Sequence, residues 1–245
     1  MIANCPLINK LSVVIPVRNE QDNIAILISE IDTVLKSVIE HEIIFVDDGS
    51  VDATFEKLKL LKSGYTRLRI IRHAQCYGQS TAVRTGVQHA RYDWIITLDG
   101  DGQNDPADIP KLLAAVTEGV ELVVGNRRMS RQDTWIKRVS SVIANEIRSR
   151  ILQDYTPDSG CGLKLFSRSA FLDLPCFDHM HRFLPALIRR RGGNIVSVPV
   201  SHRDRKYGSS NYGTFDRLVA GIIDLAGVAW LQRRAKIPTA TEDKL

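Results

Sequence analysis

At 245 residues the chain is long enough for one large domain or two small ones, and its 44% hydrophobic and 25% charged content excludes a disordered or fibrous protein. The net charge of +5 is uneven: residues 179–245 hold 12 basic and 5 acidic side chains, so an anionic partner is expected for the C-terminal quarter. Cys5, Cys76, Cys161 and Cys176 are too scattered for a disulfide scaffold or a zinc cluster, and no N-terminal segment reads as a signal peptide, which together predict a cytoplasmic protein with free thiols.

Leu11–Ile15 reads as a buried strand that Pro16 stops, and Ile24, Leu27, Ile28, Ile31, Leu35 and Val38 then share one helical face. Glu42–Val46 is a second strand. Asp52 is placed to cap a helix carrying Phe55, Leu58 and Leu61, and Arg67–Arg72 is a third strand. A helix over Ser80–Ala90, a strand over Trp94–Leu98, an amphipathic segment over Ile109–Val116 and a strand over Leu122–Val124 follow. Strand and helix alternate throughout 11–125, so an α/β fold is expected, with a mostly parallel central sheet and helices on both faces.

The second half has another rhythm. Residues 135–152 read as one long helical stretch, Pro157–Gly162 as a turn and Leu163–Phe166 as a short strand. His179–Arg191 is helical, with Pro185 either kinking or starting it, and Ile195–Val200 alternates like a strand. Residues 203–213 are polar and glycine-rich and are expected to form a mobile loop; 214–234 form a terminal amphipathic helix and 235–245 a flexible tail. Without a linker or repeat, 1–234 is expected to be a single domain.

Ligands of open α/β sheets bind beyond the carboxyl ends of the strands. Three polar clusters stand there: Pro16–Glu20, Asp47–Ser50 and Asp99–Gln103. Asp99 and Asp101 are the most telling, two carboxylates either side of a glycine directly after an apolar run. A pair of acids capping the next helix is the plain structural reading. The chemical reading is a divalent cation, Mg2+ or Mn2+, which takes one or two protein carboxylates and fills its remaining positions with substrate phosphates and water. A Gly-rich phosphate loop ending in Lys, a dinucleotide fingerprint and a Gly-x-Ser-x-Gly elbow are all missing, which argues against nucleotide hydrolysis, hydride transfer and acyl chemistry.

Val14-Ile15-Pro16-Val17-Arg18-Asn19-Glu20, Val46-Asp47-Asp48-Gly49-Ser50 and Leu98-Asp99-Gly100-Asp101-Gly102-Gln103 resemble the signature of inverting family 2 glycosyltransferases with the GT-A fold. Asp158–Phe166 and His202–Tyr212 resemble the polyprenyl-phosphate branch of that family, similar to dolichyl-phosphate mannosyltransferases. The resemblance implies metal-dependent transfer of a sugar from a GDP- or UDP-linked donor to a polyprenyl (undecaprenyl or dolichyl) phosphate. The alternative is a glycosyltransferase with a soluble or saccharide acceptor.

On this resemblance 11–125 is the nucleotide-sugar half and 126–213 the acceptor half. Pro16, Asn19, Glu20, Asp47, Asp48, Asp99, Gln103 and Arg127 bind the donor, and Asp101 with Asp99 holds the metal. Arg128, Arg205, Ser209 and Tyr212 form the acceptor and phosphate loop, and Asp158 is the candidate for a general base. The basic terminal helix then implies a protein peripheral on the cytoplasmic face of a membrane, binding the membrane surface and partnered by a separate membrane protein or by its own copies. Nucleic acid is not an expected partner, because it would leave the carboxylates at the strand ends unexplained.

Overall fold

Strand β1 (Lys10–Val17) pairs in parallel with β2 (Glu40–Asp47) on one side and with β4 (Trp94–Thr97) on the other, and β3 (Leu68–Arg72) extends the sheet beyond β2. Beyond β4 the direction reverses. Strand β6 (Lys164–Ser167) runs antiparallel between β4 and β5 (Val120–Asn126), and β7 (Asn194–Pro199) lies parallel to β5 at the edge. The order is β3-β2-β1-β4-β6-β5-β7. The structure, a computed structural model, describes residues 7–128, 146–205 and 214–236.

β1 and β2 each bury every residue after the first. Such continuous apolar runs need cover on both faces, and helices supply it. Val13, Ile15, Ile43 and Phe45 face the layer of α1 (Ile24–Leu35), α2 (Thr54–Lys62) and α4 (Ile109–Ala114). Val14, Ile44 and Val46 point the other way. That face is covered by α3 (Gln79–His89), which packs on β1 and β2, and by α5 (helical over 146–152), α6 (Arg168–Leu172), α7 (Leu184–Arg190) and α8 (Thr214–Arg234), which share its apolar cluster.

The expected stop at Pro16 is not observed, since β1 continues to Val17. Pro16 shares the parity of Val14, whose carbonyl bonds toward β4, and the β1–β4 ladder already ends at Val14 and Thr97. Its missing N–H therefore falls where no strand needs it. The N-cap of α2 is Ala53 rather than the expected Asp52, which stands one residue earlier and accepts at Oδ1 from Thr54 N (2.9 Å). Pro185 starts α7 rather than kinking a longer helix, because a short 3-10 turn at Met180–Arg182 precedes it.

Helix α8 departs from the lipid-facing role expected of it. Val228 is buried, and Leu225 and Ala229 pack beside it on the core. Asp224 Oδ2 bonds His179 Nδ1 (2.9 Å), Gln232 Nε2 donates to the carbonyls of Leu152 and Ala186, and Arg190 Nε donates to Leu231 O. Part of its apolar surface thus serves the protein's own core, although Ile222, Ile223 and Trp230 stay exposed. No helix among the described residues is long and apolar enough to cross a membrane.

Candidate active site

The chain leaves β4 at Thr97 and delivers Asp99 and Asp101 to the carboxyl edge of the sheet. Asn104 Oδ1 accepts from Asp99 N (3.0 Å), and Asp101 Oδ1 accepts from Gln103 N (3.1 Å), so the turn is held by its own side chains. Each carboxylate then has one long-range partner. Asp99 Oδ1 accepts from Gln79 Nε2 at the start of α3 (2.8 Å), and Asp101 Oδ2 accepts from Arg205 Nη2 (2.7 Å). Burial raises the proton affinity of Asp99, and the charge of Asp101 raises it further. Two acids that repel in this way invite a cation. Gly162 packs so closely on Asp99 that a Cβ there would overlap its carboxylate.

The ends of β1 and β2 complete this edge. Pro16 is the penultimate residue of β1. Asn19 takes a left-handed backbone (φ 56°), donates from its N–H to Ser50 Oγ (3.0 Å) and accepts from Val51 N (2.9 Å). Glu20 accepts from Asn23 Nδ2 (2.6 Å); burial raises its pKa, with Asp101 and Asp52 adding to the rise and Asn23 and Arg205 opposing it. Asp47 Oδ1 caps Ser50 N (2.9 Å), while Asp47 Oδ2 is buried without a hydrogen bond, 3.3 Å from Arg72 Nε.

Asp48 is more heavily used. It accepts from Tyr77 N (2.9 Å), Gly78 N (2.8 Å) and Cys76 Sγ (3.3 Å), and its Oδ1 lies 2.8 Å from His73 Nδ1. Burial alone would raise its pKa, but these four contacts outweigh burial and lower it. Asp48 therefore anchors the 73–78 turn against the strand end. Gly49 (φ 69°) admits that turn, since a side chain there would strike the Gln75 backbone.

On the acceptor side, Arg127 and Asp158 form a buried two-pronged pair: Arg127 Nε to Asp158 Oδ2 (2.8 Å) and Nη2 to Oδ1 (3.0 Å), with Arg127 N adding a third bond to Oδ2 (3.1 Å). Burial of the guanidinium is outweighed by Asp158, and the pKa of Arg127 rises. Both oxygens of Asp158, the expected candidate for a general base, are thus bonded to Arg127. Arg128 is exposed, its N–H donating to Asn126 Oδ1 (3.0 Å). Arg203 N donates to Gln103 O (3.0 Å), and Arg203 also pairs with Glu30 and Asp105. Ser209, Tyr212 and most of the expected 203–213 loop lie outside the described residues, as does the tail from 237.

The residues present fit a hard divalent cation. No group of three or more His, Cys, Asp or Glu side chains among the described residues could hold a metal by itself. Two neighbouring carboxylates, one already carrying the Arg205 cation, are the donor set of an ion that completes its shell on substrate phosphates. Asp99 and Asp101 also separate two clefts. Asp99 lines a narrow inner one, and Asp101 an outer one bounded by Asn23, Glu30 and Arg203.

The model of glycosyl transferase family 2 matches residues 12–174, two thirds of the sequence and all three strand-end clusters. The chain belongs to glycosyl transferase family 2. Crystal structures of glucosyl-3-phosphoglycerate synthase from Mycobacterium tuberculosis share the fold. With Mg2+ and uridine diphosphate bound, that synthase matches with a TM-score of 0.69 at 19% identity, covering 96% of this chain and 83% of that one. The same values hold for its complex with Mn2+, UDP-glucose and phosphoglyceric acid. Its complex with Mn2+, UDP-glucose and glycerol 3-phosphate scores 0.68 at 20% identity, with the same coverage.

This glycosyltransferase thus has the GT-A fold that its motifs resemble, and the expected Mg2+ or Mn2+ agrees with the ions in those structures. The finer expectation is corrected. The matched synthase holds small phosphorylated acids and polyols, so the polyprenyl-phosphate branch, the lipid-phosphate acceptor and the membrane surface, membrane-protein partner and peripheral placement tied to it do not stand. The docked α8 accords with that correction.

Sequence reasoning also missed Gln79, His73, His181 and any role for Lys164. Gln79 follows the helix-opening Gly78 and His73 follows β3, yet neither position carries a pattern; only the fold brings them to the acids.

Proposed function

We propose that this family 2 glycosyltransferase moves a hexosyl group from a UDP-linked donor to a small phosphorylated acid of the phosphoglycerate type. The carrying observation is the Asp99–Asp101 pair, held at the sheet edge by Gln79 from one side and Arg205 from the other. The small soluble acceptor is favoured by the phosphoglyceric acid and glycerol 3-phosphate bound to the matched synthase.

Asp101 and Asp99 would hold a divalent cation, which when bound would supply neutralising charge for the leaving diphosphate. Arg205 serves the same end: its guanidinium rests on Asp101 and can pass to a phosphate oxygen, trading one anion for another. Pro16, Asn19, Glu20 and Asp47 shape the nucleotide pocket, Asp48 braces its wall through the 73–78 turn, and Gln103 orients Asp101 through its N–H. Arg127 is kept rigid by Asp158, and exposed Arg128 is available to an anionic acceptor. Asp99 lies inward of Asp101, beside the anomeric end of the donor, where it accepts from sugar hydroxyls.

A donor and acceptor screen tests the proposal. UDP-glucose and GDP-mannose are each offered with 3-phosphoglycerate, glycerol 3-phosphate or undecaprenyl phosphate, with Mn2+ present. UDP release that depends on 3-phosphoglycerate is expected. Turnover with the lipid phosphate and none with the soluble acids would overturn it.

A further inference from the structure

After β7 ends at Pro199, residues 200–205 cross from the end of β5 to the turn after β4 as a strap. Backbone bonds set its course. Val200 N donates to Asn126 O (3.0 Å), Ser201 N to Asp108 Oδ2 (2.6 Å) and Arg203 N to Gln103 O (3.0 Å), while Asn104 and His202 form an antiparallel bridge. The strap therefore runs beside the turn that carries Asp101, and from it Arg205 Nη2 reaches Asp101 Oδ2 (2.7 Å).

Two residues before Arg205, Arg203 is gripped from two directions. Its Nη1 donates to both carboxylate oxygens of Glu30 on α1 (2.9 and 2.7 Å), and its Nη2 pairs with Asp105 Oδ1 (2.7 Å). Asp105 is itself fixed, because the same oxygen accepts from Ala107 N (2.9 Å) at the start of the short 3-10 turn Pro106–Asp108. Glu30 and Arg203 also line the outer cleft that Asp101 lines. Both side chains are about one-third exposed (34% and 35%), and a pair so placed adds little to global stability. It does restrict geometry: a guanidinium held by two carboxylates keeps few orientations, and with it the backbone leading to Arg205.

We infer that Glu30 is a positioning residue for the transfer reaction: through Arg203 it fixes the 200–205 strap and so aims Arg205 at Asp101 and at the diphosphate. The inference rests on the proposed phosphate role of Arg205 and adds to it a residue of α1 that lies outside the three strand-end clusters. A strap already ordered in the folded protein spares the ligand that ordering when Arg205 takes a phosphate oxygen. Without the Glu30 carboxylate, Arg203 keeps Asp105 alone, and the segment carrying Arg205 gains freedom that binding must remove. Plain electrostatics has the opposite sign, since loss of a nearby negative charge favours an anionic ligand.

Calorimetry on the full chain, titrating UDP at saturating Mn2+, tests this in wild type, Glu30→Gln, Arg205→Ala and the double variant. Glu30→Gln should weaken UDP binding about 5- to 10-fold, with a melting temperature within about 3 °C of wild type. Arg205→Ala should weaken it about 30-fold. The double variant should bind within about 2-fold of Arg205→Ala, because Glu30 then has no guanidinium to aim. Glu30→Asp, which keeps the carboxylate, should recover part of the affinity. Arg203→Lys, which keeps the charge but not the two-sided grip, should repeat both the loss and its dependence on Arg205.

UDP affinity unchanged or tightened in both Glu30→Gln and Arg203→Lys overturns the positioning role and leaves the donor reading intact. So does a loss that recurs in full on top of Arg205→Ala, because Glu30 would then act by another route. A wild type that binds no UDP overturns both.

Discussion

The edge built by β1, β2 and β4 and the region built by β5, β7 and α8 belong to one sheet but follow different rules. In the first, strands buried on both faces end in short polar turns whose side chains accept from nearby backbone N–H groups: Asn104 from Asp99 N, Asp101 from Gln103 N, Asp47 from Ser50 N and Ser50 from Asn19 N. In the second, β7 is a half-exposed edge strand, and α8 is secured by a few bonds to other elements. Rigid turns on a buried sheet suit a site that must hold charge in fixed places. A half-exposed region tolerates change and is where acceptor preference can diverge.

Four substitutions and conditions sharpen that contrast. Asp101→Asn keeps the turn's shape but removes the charge, and turnover should fall about 100- to 1,000-fold with an unchanged circular dichroism spectrum. Asp158→Ala leaves the buried Arg127 guanidinium without its two-pronged partner, and denaturant titration should show a loss of about 3–5 kcal/mol of stability. Gly162→Ala pushes a methyl into the Asp99 carboxylate and should lower kcat roughly 10- to 100-fold. The same change at Gly221 of α8, where an added Cβ meets nothing within 4 Å, should leave kcat alone and raise stability by about 0.5–1 kcal/mol.

The gentlest effect is one of pH. The folded protein holds His181 neutral, with its pKa well below the ordinary 6.5, so the unfolded chain binds the proton first as acid is added. This contribution to stability is complete above about pH 6.5 and is lost as pH falls from there toward the folded pKa. Thermal melts across that range should show a shallower acid decline in His181→Gln than in wild type.

The same contrast explains what could be read from sequence. Strands such as Val13–Ile15 and Ile43–Val46 are apolar throughout because both faces are covered, and the acids behind them stand out against that background. Pro16 misled because its effect depends on which neighbour its missing N–H faces, and that is fixed by where β4 ends. Asp158 looked like an open turn carboxylate, since nothing local reveals an arginine 31 residues away. His181 and Gln79 had no pattern at all; Ser80 and Asp99 give them meaning only after α3 docks on the sheet. The C-terminal helix carried apolar residues that suit a lipid boundary and a protein core equally well, and Val228, Asp224 and Gln232 favour the latter.

Calorimetric titration of UDP into wild type and Asp101→Asn, with and without Mn2+, tests the central claim most directly. The account predicts that Mn2+ tightens UDP binding to the wild type at least 10-fold and does nothing for the variant. Equal enhancement by Mn2+ in both proteins would show that the acids at the end of β4 do not bring cation and diphosphate together, and would contradict it.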